Sequence, residues 1–333
     1  MMTKLLLMSI LIGIASPYWG HTFIAEGNDK IYALRSLDDS SSLCVFDAKI
    51  VGDNEFFSLT DDVAAKALTE VTTPGKHSCH IVLLERQAVV ADYTSGTLTL
   101  YELDEQGLPQ PNPTVVTYQG KGPHPKRQRS PHIHSSTLSP DGKSLLVADL
   151  GCDRLIRYNV ENGRLVLPEA ETIALPAGSG PRHCAFAPKG DYLYVVTELT
   201  DEVMTFRTSD YKLLDRCTLN AGNPEGGAHI VVSADGKYVY ASSRVSNTSK
   251  ASSQPIPDGI AIYKRLADGK LKQLHYQPTG AHPRHFAVSS DGTKLVVACR
   301  DSHTVEIYTL KGGVPVGKAE TKVVSQPVYV RIK

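Results

Sequence analysis

Three side chains able to bind charge or move protons stand at one place in a recurring pattern. His134 precedes Asp141-Gly142 by seven residues, Arg182 precedes Lys189-Gly190 by seven, and Arg284 precedes Asp291-Gly292 by seven. A fourth copy, built on Asp235-Gly236, carries Ala228 at that place with His229 beside it. A second set, Asp149, Glu198, Arg244 and Arg300, lies at or just past the end of the run that follows each turn. Arginine forks hold carboxylates or phosphates and stabilise negative charge developing on oxygen. A His and a Glu exchange protons near neutral pH when their surroundings tune them, and a Glu flanked by Arg stays ionised, as a base must. The set suits attack of water on an ester of an anionic substrate, or a proton-coupled ring closure. The competing reading is a solvated channel whose charges pair with one another, Glu198 included, and do no chemistry.

The elements that must position these residues follow from the repeat. The turns recur at steps of 48, 46 and 56 residues (141→189→235→291), so the chain is an array of like units. Each unit has a run with β-branched and aromatic residues, an Asp-Gly type turn that tolerates positive φ, and a second such run: a hairpin. Third strands follow at 151–160 and 199–208, and the turns at 161–165 and 267–271 lead to fourth strands. Four antiparallel strands per repeat make a β-propeller blade, and about 45 residues per blade gives an all-β, seven-bladed propeller in one domain. Only Asp61–Leu68 reads as a short helix. In a hairpin the start of the first strand lies beside the end of the second. Radial blades therefore gather all eight positions at one mouth of the channel. Residues 79–107 keep the strand order without the Asp-Gly turn, and 31–49 read as part of the first blade. The last strand, 327–333, is expected to close the ring against N-terminal strands and so remove exposed sheet edges.

Lys and Arg number 35, as do Asp and Glu, so the chain has no net charge and no nucleic-acid or membrane-surface footprint. The expected partner is a small anionic ester or carboxylate, and the chain is expected to be a monomer. Local charge agrees: KGPHPKRQRSPHIH, 121–134, holds four Lys or Arg, three His and no acid, although a solvated basic loop has the same composition. No zinc helix, Walker loop, serine elbow or dinucleotide fingerprint occurs, and His132 and His134 alternate across a strand, so no metal or cofactor is expected. The six cysteines lack metal-ligand spacing and read as free thiols, with no disulfide pairing indicated. Residues 1–15 resemble a signal peptide: a ten-residue apolar stretch, Leu5–Ile14, too short to span a bilayer, then a small-residue cleavage site after Ala15. With the sequon Asn247-Thr248-Ser249 this points to a secreted or periplasmic protein, the propeller occupying 21–333. The alternative is that the apolar stretch is the first propeller strand and the protein is cytoplasmic.

The segments 130–158, 178–199, 228–244 and 282–300 resemble the lactonase family of seven-bladed β-propellers. That family includes the propeller type of 6-phosphogluconolactonase and the fungal carboxy-cis,cis-muconate cyclase. Gly-Pro-Arg-His at 180–183, with Glu198-Leu199 downstream and His134-Ser135 upstream, is the most specific part. The resemblance implies an active-site set of His134, Arg182, Glu198 and Arg244, the residues that the repeat had already brought together. It implies hydrolysis of a sugar-acid lactone, nominally 6-phosphogluconolactone, with Glu198 and His134 handling protons and Arg182 and Arg244 binding the anion or oxyanion. The same four residues fit a cycloisomerase acting on a carboxylated muconate, and a non-catalytic binding propeller remains a further alternative. Arg284, Gln128 and His183 are secondary, substrate-binding candidates. The segment Val245–Asp258 reads as an insertion able to overhang the mouth, and an exported enzyme would fit poorly with a cytosolic phosphorylated substrate.

Overall fold

The computed structural model describes residues 73–333 except 106, 221–224, 245–256, 324–326 and 333, together with the backbones of five earlier strands. Seven antiparallel sheets make up the fold. Blade 1 comprises Ile12–Ala15, His21–Ala25, Lys30–Ser36 and Ala65–Thr72. Blades 2 to 6 begin with the inner strands Ser78–Leu83, Ile133–Leu138, Pro181–Phe186, Gly227–Val232 and Pro283–Val288. Pro327–Ile332 pairs with Leu43–Asp47 as the seventh sheet. Each inner strand packs beside the next, and the last lies against Ile12–Ala15, so the ring closes as the sequence led us to expect.

Two expectations for the N-terminal part change. Leu43–Asp47 belongs to the closing sheet rather than to the first blade. Residues 65–68, expected to end a helix, open the strand Ala65–Thr72, whose backbone pairs with Lys30–Ser36. The β-branched residues of its second half, Thr69, Val71 and Thr72, favour that pairing over a helix. Ile12–Ala15 pairs with His21–Ala25 as the strand of blade 1 nearest the axis. Residues 1–11 and the 245–256 part of the insertion lie outside the described residues.

The hairpin turns show why the repeat carries Ser-x-Asp-Gly. Asp141, Asp235 and Asp291 each accept a hydrogen bond from the Ser two residues earlier and the amide two residues later. The following glycines, Gly142, Gly236 and Gly292, have φ of 70°, 69° and 69°, which a side chain would strain. Blades are held together by apolar clusters that span neighbouring sheets. Tyr240 of blade 5, for example, packs with Phe286, Leu295 and Val297 of blade 6.

Tyrosines in equivalent strands also latch blade 4 to blade 5 and blade 5 to blade 6. Tyr194 Oη donates to Gly269 O at 2.9 Å, and Tyr240 Oη donates to Gly313 O at 2.8 Å. Because Tyr240 is buried, Tyr240→Phe leaves a carbonyl short of a partner. It is expected to destabilise the fold by about 1–3 kcal/mol, read as a lower denaturant midpoint with an unchanged m-value.

Candidate active site

The inner strands of blades 2 to 7 share one irregularity: a register shift near the start. It leaves Cys79, His134, Arg182, Arg284 and Val328 unpaired as extra residues, and in blade 5 both Ala228 and His229. A β-bulge re-aims a side chain without breaking the rest of the ladder. Here it turns one residue per blade towards the mouth. The second ring of mouth residues comes one position past the end of the next strand: Tyr93, Leu150, Glu198, Arg244 and Arg300.

Glu198 is the hub. Its Oε2 accepts from Arg182 Nε at 2.8 Å and lies 3.2 Å from Arg244 Nη2, and its Oε1 accepts from Arg127 Nη2 at 2.5 Å. Burial alone would raise its pKa, but Arg244, Arg127 and Arg182 override it and hold the carboxyl well below the usual range. Arg182 is nearly inaccessible, and burial followed by repulsion from Arg244 brings its pKa down to about 10, so it stays cationic at neutral pH. Arg244 is oriented by the carbonyls of Gly226 and Gly227. His134 is buried beside this cluster, its pKa driven well below 6.5 by burial and then by Arg182. Its Nδ1 has no hydrogen-bond partner among the described residues. An uncharged imidazole whose buried Nδ1 lacks a partner among the described residues thus lies within electrostatic reach of a clamped carboxylate and several guanidiniums.

One residue deeper, the same strands supply His80, Ser135, His183, His229, His285 and Tyr329. The rings touch in succession: His183 and His229 edge to face at 5.0 Å, His229 and His285 stacked at 4.0 Å, His285 and Tyr329 at 4.4 Å. Arg182 Nη1 lies 3.2 Å from His183 Nε2 and can only donate, so an uncharged His183 carries its proton on Nδ1. That proton is given to His229 Nδ1 at 2.8 Å. This imidazole layer floors the mouth and steers Arg182 from below.

The sequence-derived candidates separate accordingly. His134, Arg182, Glu198 and Arg244 come together, and Arg284 joins them at the bulge of blade 6. His183 belongs to the floor. Gln128 does not face the mouth. Its amide is taken up by His124 N, Leu150 O and Asp153 Oδ1, which pins the 120–128 loop. Asp149 is also withdrawn, accepting from the amides of His132 and Gly151 and from Arg154 Nε. It occupies the strand position of Thr197 and Ser243, one residue short of the mouth, where its own blade presents Leu150.

Among the mouth residues that the sequence does not single out are Arg127 and Tyr93. Arg127 lies inside the basic run, and only the paired carboxylate distinguishes it from the run's other cations. Tyr93 is the blade 2 equivalent of Glu198, hidden by the missing Asp-Gly turn. It stacks on His132 at 4.5 Å, meets His134 edge-on at 5.5 Å and accepts from Arg127 Nη2 at 3.2 Å. Among the described residues no group of three or more His, Cys, Asp or Glu is placed to hold a metal ion, and the described cysteines are free thiols.

Fold and site together define a seven-bladed β-propeller with an arginine-rich, carboxylate-centred cluster at one end of its channel. The model of the family "Lactonase, 7-bladed beta-propeller" matches residues 23–332, and the chain belongs to that family. It is 32% identical to a 6-phosphogluconolactonase of Bacillus subtilis over 89% of this chain and 81% of that protein. It is likewise 32% identical to a 6-phosphogluconolactonase of Formosa agariphila, over 70% and 67% of the two chains. A Bacteroides fragilis protein solved as a candidate 6-phosphogluconolactonase superposes with a TM-score of 0.75 at 26% identity, covering 98% of this chain and 97% of that one. A periplasmic gluconolactonase of Pseudomonas aeruginosa shares the fold, with a TM-score of 0.72 at 22% identity over 97% and 98%.

Proposed function

We propose that this chain is a lactone hydrolase acting on a sugar-acid lactone, nominally 6-phosphogluconolactone, by metal-independent acid/base chemistry at the mouth. The observation that carries the reading is the buried, uncharged His134, its Nδ1 unpartnered among the described residues, near a carboxylate already held by three arginines. Family membership and the names of the relatives in Bacillus subtilis and Formosa agariphila support the substrate class.

In this reading the lactone carbonyl lies against Arg182 and Arg244, whose remaining N–H groups receive the oxyanion. Water held at the His134 imidazole attacks the carbonyl carbon while the ring takes its proton. Collapse of the tetrahedral oxyanion breaks the ring C–O bond, and the imidazolium returns the proton to the departing alkoxide, giving the open hydroxy acid. An anionic substrate is itself part of the tuning. It offsets the arginine charge that depresses His134 and raises the basicity of the imidazole on binding. Glu198 is held too firmly ionised to be an effective base. Its part is to align the guanidiniums and to stabilise the passing imidazolium.

The test is turnover of fresh 6-phosphogluconolactone, corrected for spontaneous hydrolysis, with and without EDTA. A rate above buffer that survives EDTA and falls at least tenfold in Glu198→Gln, which also unbalances Arg127, Arg182 and Arg244, is expected. Loss of the rate on chelation sinks the metal-independent mechanism, and equal rates in enzyme and variant sink the site.

A further inference from the structure

Five guanidiniums meet at the mouth, and they fall into two groups. Arg127, Arg182 and Arg244 converge on Glu198. On the blade 6 side the balance differs. Arg300 is paired with Asp301, through Nε to Oδ1 at 2.6 Å and Nη2 to Oδ2 at 3.1 Å, which leaves its Nη1 without a partner among the described residues. Arg284, half-buried at its bulge, has neither a hydrogen bond nor an ion pair among the described residues. Its electrostatic neighbours are Arg182, Arg244 and Arg300, with Glu198 alone of opposite sign.

Between the arginines sits His282, its Nε2 3.3 Å from Arg244 Nη1 and its Nδ1 3.4 Å from Asp301 Oδ2. The backbone of His282 is in the left-handed region, φ 60°, and its amide is held by Asp258 Oδ2. Non-glycine residues accept that conformation at a cost, and such sites cluster where ligands are gripped. An unpaired guanidinium half-withdrawn from water is also costly unless an anion meets it.

We propose that Arg284, flanked by Arg300 and His282, forms a subsite for a phosphoryl group that the substrate carries away from its scissile ester. The ligand class follows from charge and shape. A single carboxylate is matched by one fork, whereas a tetrahedral dianion presents three oxygens to Arg284 and Arg300 together and better offsets the surplus positive charge. In the lactonase reading the carbonyl lies against Arg182 and Arg244 of blades 4 and 5, and the terminal phosphate reaches blade 6. The reaction assigned to the other end rests on the lactonase reading, but the ligand assigned to this end does not.

The experiment uses the full chain, Arg284→Met and Arg300→Met, with Arg284→Lys in reserve if the first does not fold. It measures kcat/KM on 6-phosphogluconolactone and on unphosphorylated gluconolactone, and binding of inorganic phosphate by calorimetry. The ratio of the two kcat/KM values is expected to fall by about 10–100-fold in each Met variant, the effect of losing a charge-assisted bond, and phosphate binding to be lost with it. An unchanged ratio overturns the proposal, as does wild-type protein that binds a tricarboxylate but not phosphate. If the wild type hydrolyses neither lactone, the lactonase reading fails by itself. The calorimetry still decides the subsite, because phosphate binding that depends on Arg284 upholds it and no binding removes it.

Discussion

Replacing Arg182 with alanine is expected to lower kcat on the lactone by about 10²–10³, the usual effect of removing one preorganised oxyanion donor. Several contacts converge on this guanidinium. It donates to Glu198, to the Ala228 carbonyl and to His183, so its plane is fixed before substrate arrives. Ser135 Oγ donates to its backbone carbonyl at 2.7 Å, which ties the bulge to blade 3. A preorganised donor acts mainly on kcat, because its contact strengthens as charge moves onto oxygen. Arg182→Lys keeps the charge but loses the fork, and is expected to recover only part of the rate. Steady-state kinetics on the three proteins checks this. Full activity in Arg182→Ala would remove the oxyanion role.

Mild acid is expected to unfold the protein, and the imidazole floor is the reason. Burial first, then Arg182, depresses His80 to about 4; burial, then His80 and the arginines, depresses His285 to about 3. His134, His183 and His229 shift the same way, again led by burial. A base whose folded pKa lies below its unfolded value of about 6.5 binds more protons when unfolded, so stability is complete above about pH 6.5 and falls as pH drops towards the folded pKa. For His80 and His285 together the loss is on the order of 4 kcal/mol at pH 5.

Asp201 opposes this. Burial lifts its carboxyl to about 7, so the folded chain takes up a proton between pH 7 and about 4 that the unfolded chain does not. One carboxyl offsets about one or two imidazoles, whereas six depressed imidazoles, His282 included, take up protons in this window when the chain unfolds, so the net change is destabilising. Denaturant midpoints between pH 7.5 and 4.5 measure it. A flat profile would mean that the floor is already solvated, and His285→Gln should flatten the profile in part.

The fold was legible where turn chemistry repeats and obscure where it does not. Asp141-Gly142, Asp235-Gly236 and Asp291-Gly292 mark three hairpins, and their spacing alone carries the propeller. Blade 2, with Glu85-Arg86 at its turn, lacks that mark, so Tyr93 passed unnoticed although it occupies the place of Glu198. The bulges explain the remaining errors. Adjacent residues such as Arg182 and His183 cannot be sorted into mouth and floor by strand alternation, because the extra residue resets the count. Asp149 was misplaced by one position for a related reason: an acid at a strand end reads alike whether it caps a turn or faces a ligand. Gln128 and Arg127 are neighbours in one basic loop, and only the fold reveals that the charged one reaches Glu198 while the amide anchors the loop.

The bulge also separates two tasks that most strands combine. Since its residue stands outside the ladder, a blade can change what it offers the ligand without altering its pairing partners or its core. Cys79, Ala228 and Val328 are the sockets filled without charge, and they interrupt the charged part of the rim. The propeller therefore works as a turret with interchangeable heads. All three sockets are buried, so a larger side chain there would displace its neighbours on the rim, while the ladder behind it would keep its pairing.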